Sequence, residues 1–270
     1  VNPLFIPTLL LALVLFAVGQ KISRRCNSPW FLIGSLLAAI PAVIFAAYYT
    51  KIFGEAKWLY SIRTLPFSEL SAAGIGLIAG WLQFMREQNF RSKRMVSAFF
   101  IPFLMILCVA APYLKQLFLR PDWSKFEDRW AGDVCLQSSE SSCGPASAAT
   151  LLRYFGKSAT EQEIAKESFT TRRGTENWYL LRTIRKQGLP AICVVVSPGV
   201  ENLLLPSIAG VRLNLAQETG HFIAILGKNG GKFIVGDPLN GREELTREEL
   251  LERYTFTGFY LIKSDGDGPK

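Results

Sequence analysis

Long unbroken apolar runs fill the first 120 residues of the chain, and short runs broken by turn residues fill the rest. A helix that crosses a bilayer needs about 20 apolar residues at ~1.5 Å each. Three stretches meet that length: Val1–Val18, Trp30–Thr50 and Val96–Leu114. A fourth, Glu69–Met85, is shorter and diluted by glycine, so three or four spans are open at this point. Its Gly76-Leu77-Ile78-Ala79-Gly80 spacing suits close helix–helix packing in lipid, against the plainer reading of a chance GxxxG. No positive residue precedes the first run, and Lys21, Arg24 and Arg25 follow it, the order expected of an anchor rather than a cleaved signal peptide.

From Pro121 the pattern becomes that of a globular domain. Ser142–Phe155 predicts a helix beginning near Cys143, with Pro145 in its first turn and Gly156 ending it. Thr160-Glu161-Gln162-Glu163 and Thr246–Glu249 read as capping boxes opening two further helices, and Thr175 as the cap of another that runs to Gly188. Strand-like runs follow at Ala191–Val196, Ile208–Leu215, Phe222–Leu226, Lys232–Val235 and Phe256–Ile262. Helices first and strands afterwards predict an α+β domain with a mainly antiparallel sheet. The expected organisation is a transmembrane region over 1–120 (spans near 1–18, 30–50, 69–85 and 96–114), a linker over 121–131, a globular domain over 132–263 and a polar tail over 264–270.

Charge sharpens this division. The 270 residues are 49% hydrophobic and 19% charged, too sparse in charge for a disordered chain. Residues 1–120 hold 12 Lys and Arg against 3 Asp and Glu, and residues 121–270 hold 18 against 19. The basic surplus lies beside the apolar runs, where it signals topology, and it forms no basic face for nucleic acid. The segments Gln20–Pro29 and Arg86–Met95 carry the densest positive charge. Placing them in the cytoplasm puts residues 115–270 outside the plasma (inner) membrane with four spans, and a three-span count gives the same side.

One histidine rules out a multi-histidine metal centre, and five cysteines rule out a dense disulfide framework. Any imidazole chemistry must use His221. Reading Asn229-Gly230 as a two-residue hairpin loop sets His221 opposite Pro238, with Asp237 at the same open end. A carboxylate there can hold the second ring nitrogen and fix the tautomer. The candidate nucleophile is Cys143, whose thiol falls at a helix N-terminus, where unpaired N–H groups favour thiolate below the free pKa of ~8.5. Gly144 lets a substrate backbone approach. Gln137, six residues earlier, offers an N–H₂ that can join the Cys143 N–H in an oxyanion hole. Cys108 lies in an apolar span, Cys26 in a basic loop and Cys193 in a β-branched run; an exported domain permits, without establishing, a Cys135–Cys193 disulfide.

The run Cys135-Leu136-Gln137-Ser138-Ser139-Glu140-Ser141-Ser142-Cys143-Gly144-Pro145-Ala146 resembles the catalytic signature of the bacteriocin-processing, double-glycine type cysteine peptidases, papain-like enzymes usually fused to ABC exporters. The likeness continues through Leu151–Gly156, Gly174-Thr175, Gly220-His221-Phe222-Ile223, Gly236-Asp237-Pro238 and Gly258-Phe259, covering about residues 132–263. It implies a papain-like fold with a Cys143 nucleophile, His221 as base and acid, Asp237 as orienter and Gln137 as oxyanion donor. The chain departs from the exporter fusions in having no G-x-x-x-x-G-K-[ST] loop, so neither ATP nor an ATPase is expected, and no cofactor or metal. The expected function is a membrane-anchored peptidase acting on a peptide or protein substrate, with membrane lipid around its helices. The alternative is a silent peptide-binding module assisting a transporter.

Overall fold

The computed structural model describes residues 1–25, 29–50, 60, 62–89, 94–214 and 220–264. The loop residues at 26–28, 51–59 and 90–93, which enter the charge reading, and the end of the polar tail lie outside the described residues. The chain divides into two compact units, Val1–Phe118 and Leu119–Lys270.

In the first unit the helices are α1 (Phe5–Arg25), α2 (Pro29–Thr50), α3 (Ile75–Asn89) and α4 (Arg94–Phe118). Among the described residues, two helices are long and apolar enough to cross a membrane, Phe5–Arg25 and the Phe99–Phe118 part of α4, and α2 holds the shorter apolar stretch Ile33–Ala42. The segment 69–85 is not one continuous α-helix. A 3₁₀ helix, Ser68–Gly74, occupies its start, and α3 has 15 residues, which at ~1.5 Å each is shorter than a bilayer core. The glycines of α3 lie directly on α1. A Cβ on Gly76 would stand 2.2 Å from the Ala12 carbonyl oxygen, and one on Gly80 would stand 2.2 Å from that of Phe16. At one end of the unit, buried polar groups pair with each other: the Asn2 N–H donates to Gln116 Oε1 (2.8 Å), Asn2 Nδ2 donates to Glu69 Oε1 (3.2 Å), and the Thr8 and Tyr113 hydroxyls meet at 3.1 Å.

In the second unit a two-stranded hairpin, β1 (Trp130–Ala131) and β2 (Val134–Cys135), leads to α5 (Cys143–Tyr154), α6 (Glu161–Glu167) and α7 (Asn177–Lys186). Then come β3 (Ala191–Val195), β4 (Ser207–Leu213), β5 (Gly220–Asn229), β6 (Lys232–Asp237), β7 (Gly241–Leu245), α8 (Arg247–Arg253) and β8 (Tyr254–Lys263). The six longer strands form one antiparallel sheet in the order β3-β8-β4-β5-β6-β7. Ile223, Ile225, Val235, Tyr254 and Tyr260 share its core. Ala146, Ala148 and Ala149 are buried, so α5 presents small side chains where it packs, and Leu151 and Leu152 are buried further along it.

Three local expectations need correction. The β5–β6 loop is Gly230-Gly231, not Asn229-Gly230, because Asn229 pairs with Lys232. Both glycines hold positive φ, 53° and 84°, which a tight hairpin requires at its two central positions and glycine supplies without a Cβ clash. The register also shifts between Ile225 and Gly227, so the simple count from the turn does not carry to His221. The cap of α7 is Glu176 rather than Thr175, whose hydroxyl instead meets that of Thr170 at 2.6 Å. Finally, β7 escapes the apolar pattern because Gly-Arg-Glu-Glu-Leu is polar; its burial is confined to the two ends.

Candidate active site

Cys143 is the first residue of α5, His221 the second of β5 and Asp237 the last of β6. The antiparallel β5–β6 hairpin carries His221 and Asp237 to one end. His221 Nε2 lies 2.9 Å from Asp237 Oδ1. Since an ionised carboxylate only accepts, Nε2 carries the hydrogen, and Nδ1 is the nitrogen left for Cys143. The Cys143 thiol borders the ring, close enough to raise its proton affinity. The Ser147 hydroxyl, one turn along α5, donates to the Phe222 carbonyl at 2.9 Å and ties the cysteine helix to the histidine strand.

Electrostatics in this corner favour charge on the imidazole. Burial alone drives the His221 pKa down. Hydrogen bonds to Asp237 and Cys143 and the charges of both outweigh it, holding the ring at about 9. Asp237 is fully buried. Burial raises its pKa, but the hydrogen bonds from His221, Tyr254 and the Leu239 N–H bring it below the usual carboxylate value. The donors are well placed: Leu239 N–H to Oδ1 at 2.9 Å, Asn240 Nδ2 to Oδ2 at 2.9 Å and the Tyr254 hydroxyl to Oδ2 at 2.6 Å. With His221, the carboxylate has four partners, enough to hold a buried ion.

Gln137 reaches the same corner through its backbone, whose N–H donates to the Pro238 carbonyl at 2.9 Å. Its side-chain Nε2 donates to the Ser139 carbonyl at 2.8 Å and keeps a second hydrogen. The intervening serines form a turn: the Ser142 hydroxyl donates to Ser139 O (2.9 Å) and accepts from the Ser139 N–H (3.0 Å). Ser142 is therefore the N-cap of α5 by position yet makes no side-chain cap. The first-turn N–H groups of the cysteine helix are not consumed by it.

The remaining thiols stand apart. Cys135 and Cys193 are free thiols, not a disulfide, and burial pushes each up to about 12. Cys135 sits behind α5, its N–H on the Thr150 hydroxyl at 2.9 Å, whereas Cys193 is opposite Leu261 in the sheet. Sequence reasoning missed two residues here. Tyr254 reaches Asp237 only through the fold, so no local signal marks it. Glu161 was legible as part of a capping box, but its carboxylate faces the serine turn.

A curated, uncharacterized protein of Methanothermobacter marburgensis is 32% identical over 129 residues, 48% of this chain and 86% of the relative. An uncharacterized protein of Methanothermobacter thermautotrophicus matches with the same identity and shares. Among solved structures, a double glycine motif protease from an AMS/PCAT transporter, crystallised with a leader peptide, is 25% identical with a TM-score of 0.41, covering 52% of this chain and 94% of that one. The peptidase domain of Streptococcus ComA is 19% identical with a TM-score of 0.39, covering 47% and 93%. The model of the Peptidase C39 family matches residues 132–267, half of the chain, and the protein belongs to that family of cysteine peptidases, with its papain-like α+β fold.

Proposed function

We propose that the chain is a membrane-anchored peptidase that hydrolyses peptide bonds through Cys143, His221 and Asp237, with Gln137 as an oxyanion donor. The observation that carries the reading is the Cys143 thiol beside an imidazole that is itself bonded to a four-partner buried carboxylate. Residues 78 and 16 positions apart meet in this corner, and each is oriented by a different element.

Cys143 Sγ attacks the scissile carbonyl carbon, and the carbonyl electron pair moves to oxygen. The Cys143 N–H and the second Gln137 Nε2 hydrogen receive that oxyanion. As the tetrahedral species collapses, the imidazolium gives its Nδ1 proton to the leaving amine, and a thioester remains. The neutral imidazole then takes a proton from water, the resulting hydroxide attacks the thioester, and the thiol is restored. Asp237 stays ionised throughout and holds the ring in register.

The helices of the first unit anchor this domain in the plasma (inner) membrane as a multi-pass bundle, with the peptidase outside and a peptide or protein as substrate. Support for that side is the positive charge of the loops. The full chain in detergent, given a degenerate peptide library and read by mass spectrometry, should yield defined cleavage products that Cys143→Ala abolishes. Undiminished hydrolysis by that variant overturns the proposal. An outer-side position predicts that a protease added to intact spheroplasts removes residues 119–270.

A further inference from the structure

The Glu161 carboxylate is buried, 1% exposed, at the first position of α6, although neither capping nor an ion pair with a close cation needs it there. The cap of α6 is complete without it, since Thr160 and Glu163 close the capping box between themselves. Glu161 instead faces the turn that separates Gln137 from Cys143. Its Oε1 accepts the Ser138 N–H at 2.9 Å, and its Oε2 accepts the Ser138 hydroxyl at 2.5 Å. The Ser138 oxygen in turn accepts the Glu127 N–H at 3.0 Å. At the far end of the turn, the Ser142 hydroxyl closes on Ser139, donating to its carbonyl and accepting its N–H. One carboxylate thus holds both the N–H and the hydroxyl of the residue after Gln137.

We infer that Glu161 is a positioning residue for peptide hydrolysis, clamping Ser138 at the start of the serine turn so that the Gln137 side chain reaches the oxyanion beside the Cys143 N–H. The inference rests on the proposed peptidase reading. Two consequences of the clamp matter to the reaction. Holding Ser138 fixes where the Gln137 side chain starts. The turn anchored at Ser138 keeps the Ser142 hydroxyl on Ser139 and off the helix N–H groups, which stay free for substrate. A serine at this position would otherwise satisfy one of them as an N-cap. Placement of this kind acts on the transition state, because the oxyanion forms only after attack.

The test uses the full chain in detergent with the best-cleaved peptide of the library. Glu161→Ala should lower kcat by about 10- to 100-fold with KM within about twofold, the pattern of a lost transition-state contact. Alkylation of Cys143 by iodoacetamide should keep its rate and pH dependence, since neither thiol nor imidazole is touched. Glu161→Gln should restore most of kcat: its carbonyl accepts the Ser138 N–H, its amide donates to the Ser138 oxygen, and that hydroxyl turns to the Glu127 carbonyl 2.9 Å away. If Glu161→Ala does not fold, Ser138→Ala gives the same test with a smaller loss of kcat. A folded Glu161→Ala enzyme with unchanged kcat, or a loss confined to KM, overturns the inference. Failure of the peptidase reading itself is seen separately, as hydrolysis that survives Cys143→Ala.

Discussion

The Tyr254 hydroxyl donates to Asp237 Oδ2 at 2.6 Å, on the carboxylate oxygen that does not face His221. This contact joins the start of β8 to the end of β6 and supplies one of the hydrogen bonds that keep a buried carboxylate ionised. Burial, with the Asp237 charge beside it, raises the Tyr254 pKa far above its usual value, so the phenol remains a donor at any working pH. Tyr254→Phe should cost about 1–2 kcal/mol of stability, the usual penalty for leaving a buried acceptor short of a donor. Its kcat should fall less than that of Asp237→Ala, because Asn240 and Leu239 still hold the carboxylate. Urea denaturation and steady-state kinetics on both variants check the order.

Asp237→Asn separates orientation from charge. The amide oxygen can still accept the His221 Nε2–H, so the ring keeps its tautomer. The amide nitrogen, however, meets the Asn240 Nδ2 donor, and the negative charge is gone. We expect kcat to fall about tenfold for Asn and about 100-fold or more for Ala, less than the ~10⁴-fold loss that a wrong tautomer causes in a triad. Equal rates for all three enzymes would mean that another group orients His221.

The pH profile follows from the same corner. The His221 pKa of about 9 lies above its ordinary 6.5, so the fold favours imidazolium. The stabilisation this brings is complete below about 6.5 and is lost as pH rises through about 9. Asp237 behaves oppositely: its contribution is present above the ordinary 3.8 and is lost as pH falls through its lower folded value. Hydrolysis should therefore show an alkaline limb in kcat/KM near 9, where the acid for the leaving amine disappears. In Asp237→Asn that limb should move to lower pH, because the hydrogen bond to a carboxylate and its charge both raise the wild-type value. A limb that stays in place would assign it to a different group.

How much of this was readable in the sequence depends on the range of the forces involved. The Cys143 helix, with its early Pro145 and terminal Gly156, follows from local chemistry and occupies Cys143–Tyr154 in the structure. Both capping boxes are formed as written, at Thr160 with Glu163 and at Thr246 with Glu249. The hairpin placed Asp237 and His221 at one end even though its loop lies one residue later, because an open end is insensitive to a small register change. What stayed hidden depends on tertiary placement. The donors of Tyr254 and Glu161's hold on Ser138 join residues 17 and 23 positions apart with no periodic signal. The polar strand β7 was missed because its pairing with β6, not its side chains, holds it in the sheet.

Thiol chemistry in residues 119–270 should be confined to one sulfur. Cys135 and Cys193 are free, and burial raises both to about 12, so at pH 7–8 neither offers appreciable thiolate. Cys143 is half-buried and borders the His221 ring. Brief iodoacetamide treatment followed by peptide mapping should place the label of this region on Cys143 and leave the other two unmodified. Rapid labelling of Cys193 would show that β3 opens far more readily than its pairing with β8 implies.

The glycine spacing in α3 makes a prediction that is independent of catalysis. A methyl group on Gly76 or Gly80 would lie 2.2 Å from a backbone carbonyl oxygen of α1, at Ala12 and Phe16, and backbone cannot turn aside as a side-chain tip does. The two helices would have to separate, which forfeits the close contact that small residues provide between helices in lipid. Gly76→Ala and Gly80→Ala should each destabilise the helical unit by about 1–3 kcal/mol, the cost of overpacking a tight contact. Gly34 serves as the control, for a Cβ there meets nothing within 4 Å. Gly34→Ala should match the wild type or exceed it slightly, since alanine favours the helix. Thermal unfolding in a fixed detergent, followed by loss of the monodisperse peak, separates the cases. Tolerance of alanine at both positions 76 and 80 would mean that α1 and α3 do not meet along this face.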